Sequence, residues 1–383
     1  MKWFGWCFIG GCICVGQVHG KDAFQSDDFE RSQFEWDNVE WKGQILIDQD
    51  YMGAAYQKGS SDSQTHSELR SAKLSVKWRP FAQWQGRVQL ETSDQEKRDD
   101  GFEMGDAWFR WRSPSKNWQT WFGQFKEPMG HERLMGSGSR PTIERSMATT
   151  AFAPGRSVGV MLGYRQKQFT LSSGVFQAEP EEQEIFDKQV DSWTTRATVT
   201  GKGQNEVRWH VGSALSLRQL NDSLFQIEER AEVNSADNVI FSGRYYGDQQ
   251  ITSQVEAGAS WLQSWWMAEY FQSTVDASDG DSWQYHGFYL QWVYGGHHRY
   301  KHGQFKSPKT KAGQWQFVVR YSGLDLRDNG LGTEAGSLML GGNYRFSRYG
   351  RIMVSYLQPN LSGNVVNTDL TGAATSARLQ FEF

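Results

Sequence analysis

From residue 39 to the end of the chain, apolar and polar side chains change places with a period of two. In residues 207–218, Val207, Trp209, Val211, Ser213, Leu215 and Leu217 fall on one side, and Arg208, His210, Gly212, Ala214, Ser216 and Arg218 on the other. Leu74, Val76 and Trp78 interleave with Lys73, Ser75, Lys77 and Arg79, and Trp84, Gly86, Val88 and Leu90 with Gln85, Arg87, Gln89 and Glu91. The final residues repeat the pattern, with Ala377, Leu379, Phe381 and Phe383 opposite Ser376, Arg378, Gln380 and Glu382. Successive side chains of a strand point to opposite faces, so each stretch reads as a strand with one greasy and one wet face. About sixteen such segments of roughly ten residues recur, the length a tilted membrane-crossing strand needs.

Composition decides between a membrane barrel and a soluble sandwich. Mean hydropathy is low at −0.67, which excludes a bundle of membrane helices, yet the chain carries 18 Trp and 14 Tyr. Transmembrane barrels combine these properties: wet faces keep hydropathy down while aromatic girdles raise the Trp and Tyr count. Short connections at 79–82, 201–204 and 348–350 alternate with longer polar ones, as in outer-membrane barrels. The expectation is therefore an all-β transmembrane antiparallel barrel of about 16 strands. Its last strand pairs with its first and leaves no open edge, with Phe383 as an aromatic anchor at the bilayer boundary. The N-terminal "MKWFGWCFIGGCICVGQVHG" has one basic residue, a short apolar run and a small residue at its end, the pattern of a signal peptide over 1–20. Residues 21–38 read as a short periplasmic segment and 39–383 as the barrel. Cys7, Cys12 and Cys14 all lie in the signal, so the mature chain has no thiol chemistry.

Residues 121–164, "WFGQFKEPMGHERLMGSGSRPTIERSMATTAFAPGRSVGVMLGY", are more specific than barrel alternation. They resemble the phosphate-selective porin O and P family in three segments: G-x-F-K-E-P at Gly123–Pro128, E-R-S at Glu144–Ser146, and F-A-P-G-R at Phe152–Arg156 before the Gly159-Val160 strand. "LRSAKLSVKWRPFAQWQGRVQLE" is similar to the family's second and third strands. "GQWQFVVRYSGLDLRDNG", "LMLGGNYRFSRYGRIMVSYLQP" and "SARLQFEF" are similar to its last four. The resemblance implies a sixteen-stranded barrel in the bacterial outer membrane, in contact with its lipid. It further implies a homotrimer passing small anions such as phosphate, polyphosphate or other oxyanions. The phosphate-specific members line their fifth long loop with successive arginines. The matching "SLFQIEERAEVNSADNVIF" has Arg230 alone among Glu228, Glu229 and Glu232.

Passive diffusion needs a constriction whose charges favour one class of solute and still release it. The long third loop, 126–155, is the candidate for folding inward. It offers Lys126, Arg133, Arg140 and Arg145 beside Glu127, Glu132 and Glu144, with Arg156 at the start of the next strand. Guanidinium forks match the oxygens of phosphate and carboxylate. With Arg230, these form the expected anion-binding set. A second basic stretch, "GGHHRYKHGQFKSPKTKAG", carries Arg299, Lys301, Lys306, Lys309 and Lys311 without an acid, on the short-turn, periplasmic side by strand counting. It reads as a charge-lined exit funnel. His297, His298 and His302 have no carboxylate or Cys nearby, so no metal is expected there. His210 and His286 lie in strands without nucleophile spacing, so no catalytic group and no cofactor are expected, and no nucleic-acid motif appears. A plugged structural or adhesive barrel, or an outer-membrane barrel enzyme, remain the alternatives.

Overall fold

The computed structural model describes residues 38–60, 62–92, 101–178, 189–301, 304–364 and 372–383. The segments expected as signal peptide and periplasmic extension, Asn38 apart, lie outside these residues. The strands run β1 Val39–Met52, β2 Gln64–Trp78, β3 Trp84–Thr92, β4 Phe102–Arg112, β5 Trp118–Lys126, β6 Arg156–Gln166, β7 Phe169–Ala178, β8 Val190–Lys202 and β9 Arg208–Phe225. Then come the short β10 Glu228–Glu229 and β11 Ile240–Phe241, followed by β12 Tyr245–Trp261, β13 Ser264–Ala277 and β14 Ser282–Tyr294. A hairpin of β15 His297–Lys301 and β16 Gln304–Lys309 precedes β17 Gln314–Asp325, β18 Thr333–Arg345, β19 Gly350–Gly363 and β20 Ala374–Glu382. Among the described residues, sixteen of these strands close into one antiparallel barrel. The β10–β11 and β15–β16 pairs stand apart as two-stranded sheets.

Closure is direct. β20 pairs with β1 from Gln44 opposite Glu382 to Met52 opposite Ala374. Phe383 extends the ladder by one step, its N–H donating to Gly43 O at 3.1 Å and its carbonyl accepting from Gly43 N at 2.8 Å. A side chain at Gly43 would run into the Phe383 ring. Arg378 ties the same seam from inside, its Nε and Nη2 donating to the Asp48 carboxylate at 2.7 and 2.6 Å.

The outer face is apolar, with Val158, Val160, Leu162, Val211, Val255, Leu290, Leu338, Leu340 and Val354 all exposed. Aromatic residues gather at the end where the connections are short: Trp41, Trp84, Trp118, Trp209, Trp261, Trp266, Tyr294, Trp315 and Tyr349 are exposed there. Amphipathic rings at the headgroup level are the signature of a membrane-spanning barrel.

The inner face is of two kinds. On β9, β13, β14 and β17–β19, Leu220, Trp265, Met267, Phe271, Val275, Tyr285, Tyr289, Val318 and Met339 are buried in one apolar cluster. Their partners include Met129, Met147, Ala151 and Phe152 from the β5–β6 connection, Ile227, Val233 and Ile240 from the β9–β12 connection, and Phe305 from β16. On β2–β8 the same face is polar and only half-buried, carrying Lys73, Lys77, Arg87, Asp106, Arg110, Arg112, Lys126, Arg156, Arg165 and Arg196.

Candidate functional site

The connection 127–155 is built by the motif residues. Gly123 has φ 113°, and a Cβ there would lie 2.3 Å from Ala107 O, so only glycine lets β5 press against β4 at this point. Lys126 at the end of β5 donates from Nζ to the carbonyls of Arg133 and Met135 at 2.7 and 3.1 Å. Gly130, at φ 73°, turns the chain into the short helix α1, His131–Leu134. Ser146 caps α2, Met147–Phe152, by accepting from Thr149 N, and donates from Oγ to Glu132 at 3.0 Å. Phe152 lies against Phe271 on β13.

Each glutamate of this connection is anchored to a barrel strand. Glu127 accepts from Arg218 Nη2 at 2.6 Å and from Thr194 Oγ1 at 2.6 Å. Arg320 on β17 donates to Glu132 at 3.1 Å and, through its other terminal nitrogen, to Glu232 of the β9–β12 connection at 2.7 Å. Glu144 takes Arg378 Nη2 at 2.6 Å and lies 3.4 Å from Arg70 Nε. Backbone N–H groups of His131 and Glu132 donate to Glu269 at 2.5 and 2.9 Å. Arg320 and Arg378 are each 1–2% exposed. Removing one partner from such buried pairs costs roughly 3–5 kcal/mol, because the other charge is stranded.

The expected site residues separate into different environments. Arg156 belongs to the polar wall, donating to Asp106 at 2.8 Å and Glu91 at 3.2 Å, with Lys73 2.7 Å from Glu91 and Arg87 2.7 Å from Asp106. Arg133 and Arg145 are half-buried; Arg133 Nε donates to Pro154 O at 2.9 Å, and Arg145 Nε has no partner. Burial, with neighbouring arginines, brings both down to about 10, still cationic at neutral pH. Arg140 corrects the picture of a solvent-facing guanidinium: it is 3% exposed, and its Nη2 donates to Ile143 O at 3.0 Å. Burial lowers it to about 9. Burial alone would raise the Glu144 carboxyl, but Arg70, Arg378 and Arg140 hold it well below the usual carboxylate range. Arg230 bonds within its own connection, to Asn238 Oδ1 at 3.2 Å and Asn234 O at 2.9 Å.

The basic stretch corrects the picture of a wet funnel at the mouth. It folds into the β15–β16 hairpin with Arg299 opposite Lys306. Phe305, Ser307 and Thr310 are buried, while Lys309 and Lys311 are exposed. Phe305 stacks on His210 and Trp265, with centroids 5.5 and 5.7 Å apart. The hairpin is held by an apolar plug that a charge count does not register.

A cavity of about 480 Å³ lies where these parts meet. Its charged and imidazole lining is Lys126, Arg165, Arg196 and Lys306 with His131 and His210, and among the described residues no carboxylate lines it. Arg112 lies opposite Gln119 and its Nη2 reaches Gln119 Oε1 at 3.4 Å, while Gly163 faces Gln119 on the other side, two residues before Arg165. Arg110 stands between Trp108 and Trp121, each ring 5.8 Å from the guanidinium carbon. These strand cations escaped the loop-centred sequence reading. Their signal was the wet face of the alternation itself, which already set Lys73, Lys77 and Arg87 on the lumen side.

His131, His210 and Glu256 on β12 form a buried group, one ligand atom from each lying within 4.8 Å of the others. Burial pushes the His131 imidazole down to about 3, so it is neutral at physiological pH.

A closed, aromatic-girdled barrel with a polar, cation-rich inner wall defines an outer-membrane porin. The chain belongs to the phosphate-selective porin O and P family, whose model matches residues 39–383. Solved structures with the same fold include an anion-selective porin from Comamonas acidovorans, at 12% identity and TM-score 0.55, covering 90% of this chain and 99% of that one. The outer-membrane channel DcaP of Acinetobacter baumannii matches at 11% and 0.58, covering 90% and 97%. Vibrio cholerae OmpT in its trimer form matches at 10% and 0.56, covering 90% and 99%. No curated protein matches the sequence significantly.

Proposed function

We propose that the protein passes small oxyanions by diffusion, with the connection 127–155 folded into the lumen as its constriction. The observation that carries this reading is the cavity beside that connection, whose charged lining is wholly cationic. Lys126, Arg165 and Lys306 raise the local concentration of anions there, with Arg196 paired to Glu256 behind them, whatever the net charge of −4 over the whole chain. The constriction is held by buried ion pairs to barrel strands, which keeps its cations at fixed distance from the wall. Apolar packing of the two long connections against β13 and β14 confines the path to the side of β2–β8. Lone Arg230, bonded within its own connection, supports a general oxyanion pore over a tight phosphate binder. The trimeric assembly of the V. cholerae relative supports a homotrimer here.

Planar-bilayer recordings test the reading. Chloride current should be reduced by phosphate, pyrophosphate and small carboxylates added to one side. A barrel that inserts but never conducts would replace this reading with a plugged structural or adhesive barrel.

A further inference from the structure

We infer that His131, His210 and Glu256 form a binding site for a divalent transition metal of the Zn²⁺ class, which fastens the 127–155 connection to the barrel wall. The three residues come from different elements: α1, β9 and β12. They are 7%, 3% and 2% exposed. Two of their nitrogens are buried without a hydrogen-bond partner, His131 Nε2 and His210 Nδ1. Buried polar atoms are rarely left unsatisfied, and the orphaned His131 Nε2, beside a second histidine and a carboxylate, is the donor a metal would use, while His210 offers the Nε2 that already faces Glu256. Two imidazoles with one carboxylate is a common ligand set for zinc and its neighbours, and not for calcium or magnesium, which favour all-oxygen sites.

The surroundings fit as well. His210 Nε2 lies 2.5 Å from Glu256 Oε1, so coordination through that nitrogen requires the imidazole proton to sit on Nδ1, which is otherwise unpartnered. Ligand atoms in a tetrahedral site stand about 3.3 Å apart, given bonds near 2.0 Å, so side-chain rotation has to open the His210–Glu256 pair from 2.5 Å and draw in the atoms that stand up to 4.8 Å apart. Glu256 is oriented from outside by Arg196 and by Gln254 Nε2 at 3.0 Å, the type of support that ligating carboxylates receive. Phe305 stacks on His210 at 12° and lies 6.1 Å from His131, giving the site an apolar wall. Both histidines also line the cavity, so a metal held by them would be reachable from it.

The test is a Co²⁺ titration of the folded, detergent-solubilised full chain, read by visible absorption and reversed by Zn²⁺. One Co²⁺ per chain should bind with a four-coordinate spectrum. His131→Gln and His210→Gln should each weaken it by roughly tenfold or more, and His286→Gln, on the exposed face of β14, should not. Heat-modifiable gel mobility verifies that each variant is folded. If His210→Gln fails to assemble, His131→Gln, outside the barrel strands, decides alone. No visible band at millimolar Co²⁺, or affinity unchanged in folded His131→Gln, overturns the site. No current is recorded, so a channel without anion preference would leave the result standing.

Discussion

Arg320→Met should loosen the 127–155 connection without opening the barrel. Arg320 is 1% exposed and neutralises Glu132 and Glu232 at once, so its loss strands two buried carboxylates from the two connections that pack against the barrel strands. Breaking one buried pair costs roughly 3–5 kcal/mol, which shifts a docked-to-undocked ratio by about two to three and a half orders of magnitude. Hydrogen bonds left to Glu132 from Ser146 and to Glu232 from Ser322 and Met147 N place the effect at the lower end. Trypsin provides the assay, because Arg133 and Arg145 are cleavage sites within the connection, whereas Arg140 is protected by Pro141. The folded wild type in detergent should resist cutting there, and Arg320→Met should be cut about a hundredfold faster. Adding Glu132→Gln and Glu232→Gln removes the stranded charges and should restore most of the resistance, since a buried pair replaced as a whole is nearly neutral. Equal cleavage of wild type and Arg320→Met would refute the claim that these pairs hold the connection.

Neutralising the wall cations Arg112 and Arg165 together to Gln should reduce anion preference strongly at low salt and little at 1 M, read from reversal potentials, because screening shortens their reach to about 3 Å at 1 M. Glu229, in the β9–β12 connection, is raised by burial from the ordinary carboxyl value of 4.5 to about 8. The folded state therefore binds its proton more tightly. Its stabilising contribution is full below about 4.5, declines as pH rises through about 8, and Glu229→Gln should flatten protease resistance of this connection over that window. Deleting Phe383 removes both hydrogen bonds to Gly43 and the ring that covers it. Less folded barrel should then appear by gel mobility, and unchanged assembly would count against its closing role.

The barrel was readable because membrane strands repeat one rule, and most of the barrel strands keep it. It fails most visibly in β13 and β14, where Trp265 and Trp266 adjoin and Tyr285 and Tyr289 share the inner face with Trp283. Alternation vanishes there because the inner face packs against apolar loop residues instead of water. That cue was available in the sequence and pointed to a partly filled lumen. The ion pairs were not readable: Glu132 meets Arg320 across 188 residues and Glu144 meets Arg378 across 234, separations with no local pattern. Arg140 illustrates the consequence. A loop arginine between glutamates looks the same in sequence whether it faces solvent or is buried against Ile143 O. Similarly, five cations between Gly295 and Gly313 indicated a solvated turn, while Phe305 packs the hairpin among His131, His210 and Trp265.

The central claim is that local cationic lining, not total charge, sets selectivity. Zero-current potential across a bilayer holding the purified protein, under a tenfold KCl gradient, tests it most directly. The account predicts a potential of the sign set by chloride permeation, moved toward zero by neutralising Lys126, Arg165 and Arg196 together. A potential of the opposite sign in the wild type, reporting potassium preference, would contradict it.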